Sequence, residues 1–298
     1  MKKAACAIIL LVAAVFAAAG IFAGCDFTGT VPDYYYSYEI DLTSQTGRKL
    51  YDMYDGSAAY VQIACYGRYG NTEYHMRSCE STGVYVTADG WMALPSEAFV
   101  PEKSGGQTAE VIRYAVKVFY FDNSGETLSK QFFFYKEPYG DNAPIDGNVI
   151  AGNYGVTLVK LPVEGHKYIP VTGNTAQGAV GERLWLFSAA YGETQAGGLI
   201  SSVTVAAADV EIRSSSSASY DYVTPYKRAD YLADGNFHKE DIGGAAVNED
   251  GKLVGIIFSR AYSESGSDQS DDIYGKAVMA GAERVADLLE KVGGGANA

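Results

Sequence analysis

The sequence predicts a mainly antiparallel all-β fold closed by one C-terminal helix. Short alternating apolar runs recur directly ahead of turn sequences: residues 83–87 before Ala-Asp-Gly, 116–121 before Asp-Asn-Ser-Gly, and 246–248 before Glu-Asp-Gly. Asp-Gly between β-rich runs is the strongest short-range hairpin signal, because glycine supplies the positive φ that a tight turn needs. Helical spacing is sustained in one place only, where Val278, Val285, Leu288, Leu289 and Val292 fall near one face.

Along the chain, Met1-Lys2-Lys3 is a positively charged start, and residues 4–23 form an apolar run. Phe22-Ala23-Gly24-Cys25 then has the form of a bacterial lipobox, with Cys25 at the lipidated position. An apolar run of about 20 residues could also span a bilayer, but small residues before a cysteine point to a processed export signal, here residues 1–24. A diacylglycerol on Cys25 would supply the two acyl chains that stable anchoring requires. The expected location is the outer face of a bacterial cell membrane.

Residues 25–47, with Pro32, Tyr34, Tyr35, Tyr36 and Tyr38, show neither period and read as a spacer between lipid and body. The tyrosines would equally suit the bilayer boundary. Residues 48–298 then form the body, long enough for a large core. Its seam is expected in 162–178, which carries two prolines and several glycines. The two cysteines of this body, Cys65 and Cys79, flank the first predicted hairpin. Outside the cytoplasm they are expected to form a disulfide, whose loop of about 14 residues would contribute roughly 3 kcal/mol; two reduced core thiols are the alternative.

Removing Lys2 and Lys3 with the leader takes the formal charge from −13 to −15. That balance argues against nucleic acid and against adsorption to anionic lipid, and is compatible with a cationic partner or with simple solubility. The 24 tyrosines suit recognition surfaces as well as strands.

The run from Asp241, D-I-G-G-A-A-V-N-E-D-G-K-L-V-G-I, resembles the nucleophile segment of trypsin-like serine proteases of the HtrA/Deg type, N-S-G-G-P-L-V-N-x-D-G-x-V-V-G-I, with Ile242 standing at the serine. S-T-G-V-Y-V-T-A-D-G-W-M-A-L-P-S-E-A-F-V from Ser81 resembles the segment carrying the catalytic histidine, at Glu97 here. N-Y-G-V-T-L-V-K-L from Asn153 resembles D-x-D-L-A-V-L-K-I, whose second acid aligns with Gly155. Segments from Gly181, Leu199 and Tyr274 follow in the family's order, so the resemblance covers roughly residues 48 to 292.

The resemblance implies a trypsin-like double β-barrel, with a first barrel over about 57–163, a second over about 179–278 and the helix over about 279–292. Many members of that family carry a PDZ domain after the protease domain, but the residues after Val292 are too few to form one, so none is expected here. A triad needs a nucleophile, a base and an orienting acid. Glu97, Gly155 and Ile242 supply none of these in their places, and loss of nucleophile or base alone costs on the order of a millionfold in related chemistry. The family's glycine two residues before the nucleophile is Glu240, which would bring negative charge to the oxyanion site.

The expectation is therefore a pseudoprotease that is not an enzyme, needs no cofactor or metal, and binds a protein or peptide in the former substrate cleft. Glu97, Asp234, His238, Glu240 and Asp241 would make that cleft acidic and suited to a basic peptide added as a strand. The rivals are an active hydrolase with another constellation and a structural envelope lipoprotein. His75, His166 and His238 are the only histidines; His238 with Glu240 and Asp241 is too compact for zinc without further ligands. Ser214, Ser215, Ser216, Ser217 and Ser219 read as a flexible loop, with no base and no G-x-S-x-G elbow.

Overall fold

Alternation and turn chemistry build a first sheet from seven strands: β1 (Ala58–Tyr69), β2 (Thr72–Tyr85), β3 (Trp91–Pro95), β6 (Glu110–Phe121), β7 (Thr127–Tyr135), β8 (Ile150–Asn153) and β9 (Val156–Lys160). A small ribbon, β4 (Lys103–Ser104) with β5 (Gln107–Thr108), branches from it. The strand order is β7-β6-β1-β2-β3-β9-β8, all antiparallel. A computed structural model describes residues 45–292 except 70, 100–102, 105–106, 109, 122–126, 136–149, 154, 163–165, 172, 193–194, 212–227, 236, 238–240 and 261–275.

The second sheet is a closed barrel of β10 (Arg183–Gly192), β11 (Gln195–Glu211), β12 (Arg228–Asp234), β13 (Ala245–Val247), β14 (Leu253–Arg260) and β15 (Lys276–Gly281). Pairing of β10 with β13 seals it, in the order β10-β11-β12-β15-β14-β13. With a C-terminal helix, Ala282–Lys291, this is the mainly antiparallel β architecture expected, in two sheets of which the second closes into a barrel and the first ends on β7 and β8.

Asp-Gly turns sit where the hairpins need them. Gly90 and Gly251 have φ of +96° and +78°, a region that costs other residues about 1–2 kcal/mol. The Asn248 Oδ1 atom accepts hydrogen bonds from the N–H groups of Asp250 and Lys252, at 3.1 and 2.9 Å, which fixes the turn into β14.

The three larger apolar clusters among the described residues follow from strand alternation. Val61, Ile63, Met92, Leu94, Val116, Phe134 and Val159 fill the first sheet, and Leu184, Leu186, Val203, Val254 and Met279 fill the barrel. β3 and β9 alternate between duties: Met92, Leu94 and Val159 point inward, while Trp91, Ala93, Val156 and Leu158 join Phe187, Ile256, Phe258, Leu288 and Leu289 in a cluster shared by both sheets and the helix.

A second helix, Gln45–Tyr54, precedes β1 and was not expected from periodicity. Its buried residues are Gly47, Leu50 and Tyr54. A Cβ at Gly47 would lie 2.7 Å from the Trp185 ring, and the Tyr54 hydroxyl donates to the Gly251 carbonyl at 2.6 Å. Val278, assigned by spacing to the C-terminal helix, lies instead in β15.

The predicted disulfide is not formed: Cys65 and Cys79 are both thiols. Cys65 pairs with Arg77 and Cys79 with Ile63, so the two cysteines are diagonal neighbours on one face. Diagonal Cα atoms are about 7–8 Å apart, beyond the roughly 4.4–6.8 Å that a disulfide spans.

The C-terminal helix has Gly281 at its N-cap, which has no side chain to cap it; the Asp230 carboxylate serves instead from β12, accepting from the Gly281 N–H at 2.6 Å. The same carboxylate binds the Arg284 guanidinium through both oxygens. Asp230→Ala is expected to cost about 1–3 kcal/mol, through a lost cap and a stranded guanidinium. Urea denaturation checks this, and Asp230→Asn should recover part of the loss.

Candidate functional site

Residues 241–244, just ahead of β13, are held by main-chain atoms. The Gly244 N–H donates to the Asp241 carbonyl at 2.9 Å, closing a tight turn over Ile242 and Gly243. The Gly243 N–H donates to the Ile257 carbonyl at 2.7 Å, and the Ile257 N–H donates to the Gly244 carbonyl at 2.9 Å. From the first sheet, the Thr82 N–H donates to the Ile242 carbonyl at 2.8 Å. Gly243 has φ +95°, and a Cβ there would lie 1.8 Å from the Thr82 carbonyl oxygen.

Thr82 also joins the sheets through its side chain: Oγ1 accepts from the Ala189 N–H on β10 at 2.9 Å. Pro95 approaches the same loop, its Cδ 3.1 Å from a Cβ built on Gly243. The next residues, Ser96–Phe99, form a 3-10 turn that carries Glu97. The Ser96 N–H donates to the Gly155 carbonyl at 3.1 Å, and the buried Ser96 and Thr157 hydroxyls are 3.0 Å apart. The fold thus gathers the main chain around Glu97, Gly155 and Ile242 into one locality from three distant stretches.

Gly155 has φ +89°, and a Cβ there would meet the Phe258 ring at 2.6 Å. Ile242 is half-buried and presents a branched hydrocarbon group, with no oxygen. Asp241 is 3% exposed, and its Oδ1 accepts from the Ser188 hydroxyl at 2.6 Å; Ser188 is itself 1% exposed. A carboxylate sequestered in this way braces the loop against β10, so Asp241 is not part of an acidic cleft wall. Asp234 is exposed at the end of β12, paired in register with Thr204 and Lys276. Cys25, His238 and Glu240 lie outside the described residues.

Of the other histidines, the His75 Nε2 is 2.7 Å from the Ser78 hydroxyl on the exposed half of β2. His166 stacks on Tyr85 at 4.6 Å, and burial, with Lys130 adding to it, pushes its pKa down, favouring the neutral ring. No group of three His, Cys, Asp or Glu residues among the described residues is placed to hold a metal ion. Among them, too, no helix is long and apolar enough to cross a membrane. A recess of about 420 Å³ on the first sheet, lined by Gln62, Ala64, Cys79, Glu80, Lys117 and Gln131 among others, includes none of the triad or cleft positions; of the residues singled out from sequence it takes in Cys79.

Sequence reasoning missed Ser188, Thr82 and Phe258. Ser188 carried a signal, as the one hydroxyl in the apolar run L-W-L-F-S-A-A. Thr82 and Phe258 act through contacts with distant stretches of the chain that no spacing reveals.

No protein-family model and no curated protein matches the chain. Solved structures do resemble it. The protease domain of MamO from Magnetospirillum magneticum, in its apo form, is 13% identical, with 80% of this chain and 97% of that one covered, at a TM-score of 0.47. Deg5 is 14% identical, with 82% and 92% covered, at 0.46. A serine-to-alanine variant of the HtrA-type protease AlgW with a tripeptide is 12% identical at 0.44; 82% of this chain matches 62% of that longer one. At such identities and TM-scores the likeness is at most one of fold; the strand pairing itself gives a seven-stranded antiparallel sheet, a closed six-stranded barrel and a C-terminal helix.

Proposed function

We propose that this chain is a catalytically inactive protein of the HtrA/Deg protease type. In this reading a lipid on Cys25 anchors it to the outer face of a bacterial membrane, and it binds a protein or peptide segment near the junction of its two sheets. The observation that carries the loss of catalysis is Gly155. Its left-handed backbone, and the Phe258 ring only 2.6 Å from where a Cβ would stand, leave no room for a carboxylate at the acid position. Ile242, at the nucleophile position, has only hydrocarbon to offer.

Binding is supported by the rigidity of this turn: a buried carboxylate, four main-chain hydrogen bonds and a glycine at positive φ hold it in one shape, a pre-organised surface to which a segment could dock. The acidic balance of the chain and exposed Asp234 favour a basic segment as the ligand.

The full chain in detergent, assayed with quenched peptides and casein and treated with a serine-directed phosphonate, is expected to show neither turnover nor labelling. Lys/Arg-rich peptides should bind, and Asp234→Lys should weaken them severalfold. Turnover that survives purification and vanishes on mutating one residue of the chain would replace this reading with the hydrolase. Peptide binding indifferent to Asp234→Lys would take Asp234 out of the binding surface.

A further inference from the structure

Two sulfur atoms meet at one end of the first sheet, and a third belongs to the residue diagonally across the ladder from the first. The Cys65 Sγ and Met76 Sδ atoms are 3.9 Å apart, and Cys79, diagonal to Cys65, packs against the same apolar cluster, its Sγ 3.9 Å from the Ala98 carbonyl oxygen. The ladder sets this arrangement. A register shift beside Cys65 leaves Met76 between Arg77, opposite Cys65, and His75, opposite Tyr66. Such a bulge re-aims the extra side chain. We propose that Cys65, Met76 and Cys79 form a binding site for Cu(I).

The spacing that forbids a disulfide suits a bridging ion. Direct bonding needs Cβ atoms about 3.5–4.5 Å apart, whereas diagonal residues on neighbouring strands stand about 7–8 Å apart at Cα and somewhat less at Cβ. An ion between them adds two metal–sulfur bonds of about 2.3 Å each. A planar three-coordinate ion with bonds of that length holds its sulfurs about 4.0 Å apart, which is the Cys65–Met76 separation already present.

Ligand type chooses the metal. Two thiolates and a thioether are soft donors, which select Cu(I), while structural zinc takes four ligands and no thioether. Two thiolates with one monovalent cation leave a single negative charge, and Arg77, directly across from Cys65, is placed to balance it. Tyr114, also opposite Cys65 on β6, donates its hydroxyl to the Phe99 carbonyl at 2.8 Å, so it stays neutral beside the site. Cys65 is 2% exposed, whereas Met76 and Cys79 are half-buried, so the cluster opens to solvent on one side.

The test is an anaerobic titration of the full chain in detergent with Cu(I) presented as its bicinchoninate complex. One equivalent per chain should leave the chelator, with stronger capture as pH rises, because binding releases the thiol protons. The Cys6→Ser/Cys25→Ser chain, which keeps only the two strand thiols, should capture the same amount. Cys65→Ser and Cys79→Ser should each weaken capture about a hundredfold, and Met76→Leu, which conserves volume, about tenfold with an unchanged circular dichroism spectrum. No capture by the natural chain, capture unchanged in the Cys65→Ser/Cys79→Ser chain, or capture lost in Cys6→Ser/Cys25→Ser would each overturn the site. None of these readouts depends on peptide binding.

Discussion

Gly243→Ala should abolish cooperative folding or cost at least about 4 kcal/mol, a loss that single substitutions reach only by a specific mechanism. Here the mechanism is a methyl group aimed at a backbone atom. The added Cβ would stand 1.8 Å from the Thr82 carbonyl oxygen, with φ at +95°. A side chain could rotate away, but Thr82 is in a paired strand. Relief requires breaking either the Thr82–Ile242 hydrogen bond or the Gly243–Ile257 one, and both link separate elements. Gly181→Ala is the control: its φ is +87° but nothing lies within 4 Å of a Cβ, so about 1–2 kcal/mol is expected there. Equal urea midpoints for the two variants would show that the loop yields more easily than its hydrogen bonding implies.

The second large effect concerns an attempt to restore catalysis. The variant Glu97→His/Gly155→Asp/Ile242→Ser is expected to show no turnover and to lose about 2–5 kcal/mol, from overpacking and a left-handed aspartate together. The cause is Phe258, whose ring atoms lie 2.6–3.0 Å from a Cβ at 155. Removing that ring does not rescue the variant. Phe258 belongs to the cluster shared by the sheets, and Phe258→Ala should itself cost about 3–5 kcal/mol. Casein hydrolysis and urea denaturation of the triple variant, beside Glu97→His/Ile242→Ser, check both halves. Turnover with wild-type stability would mean that Gly155 and Phe258 close nothing off.

The hairpins were legible because their signal is local. Asp89-Gly90 and Asp250-Gly251 announce turns, and alternation on either side sets the strands. The C-terminal helix was legible for the same reason at Val285, Leu288 and Leu289, but Val278 fits a helical period and a strand period equally, and pairing with Leu232 and Ser259 decides for the strand. The helix Gln45–Tyr54 was hidden because its burial rests on Gly47, Leu50 and Tyr54 meeting residues more than a hundred positions away, among them Trp185 and Gly251.

At the site, the segments around Glu97, Gly155 and Ile242 were readable as separate motifs, and their main chains do come together. Side-chain surroundings were not readable. Asp241 looked like a cleft acid because its burial depends on Ser188, 53 positions earlier. Cys65 and Cys79 looked like a bridge because sequence gives their separation along the chain and not their register across the ladder.

Thr82 grips residue 242 by its carbonyl and reaches β10 through its own hydroxyl, so the loop keeps its shape without consulting the side chain at 242. Architecture and chemistry are therefore separately heritable at this position. Mutation can drift through residue 242 while selection on folding, which acts through Thr82, Asp241 and Gly243, preserves the contour around it. A surface maintained in this way is available for a new use at no cost in foldability.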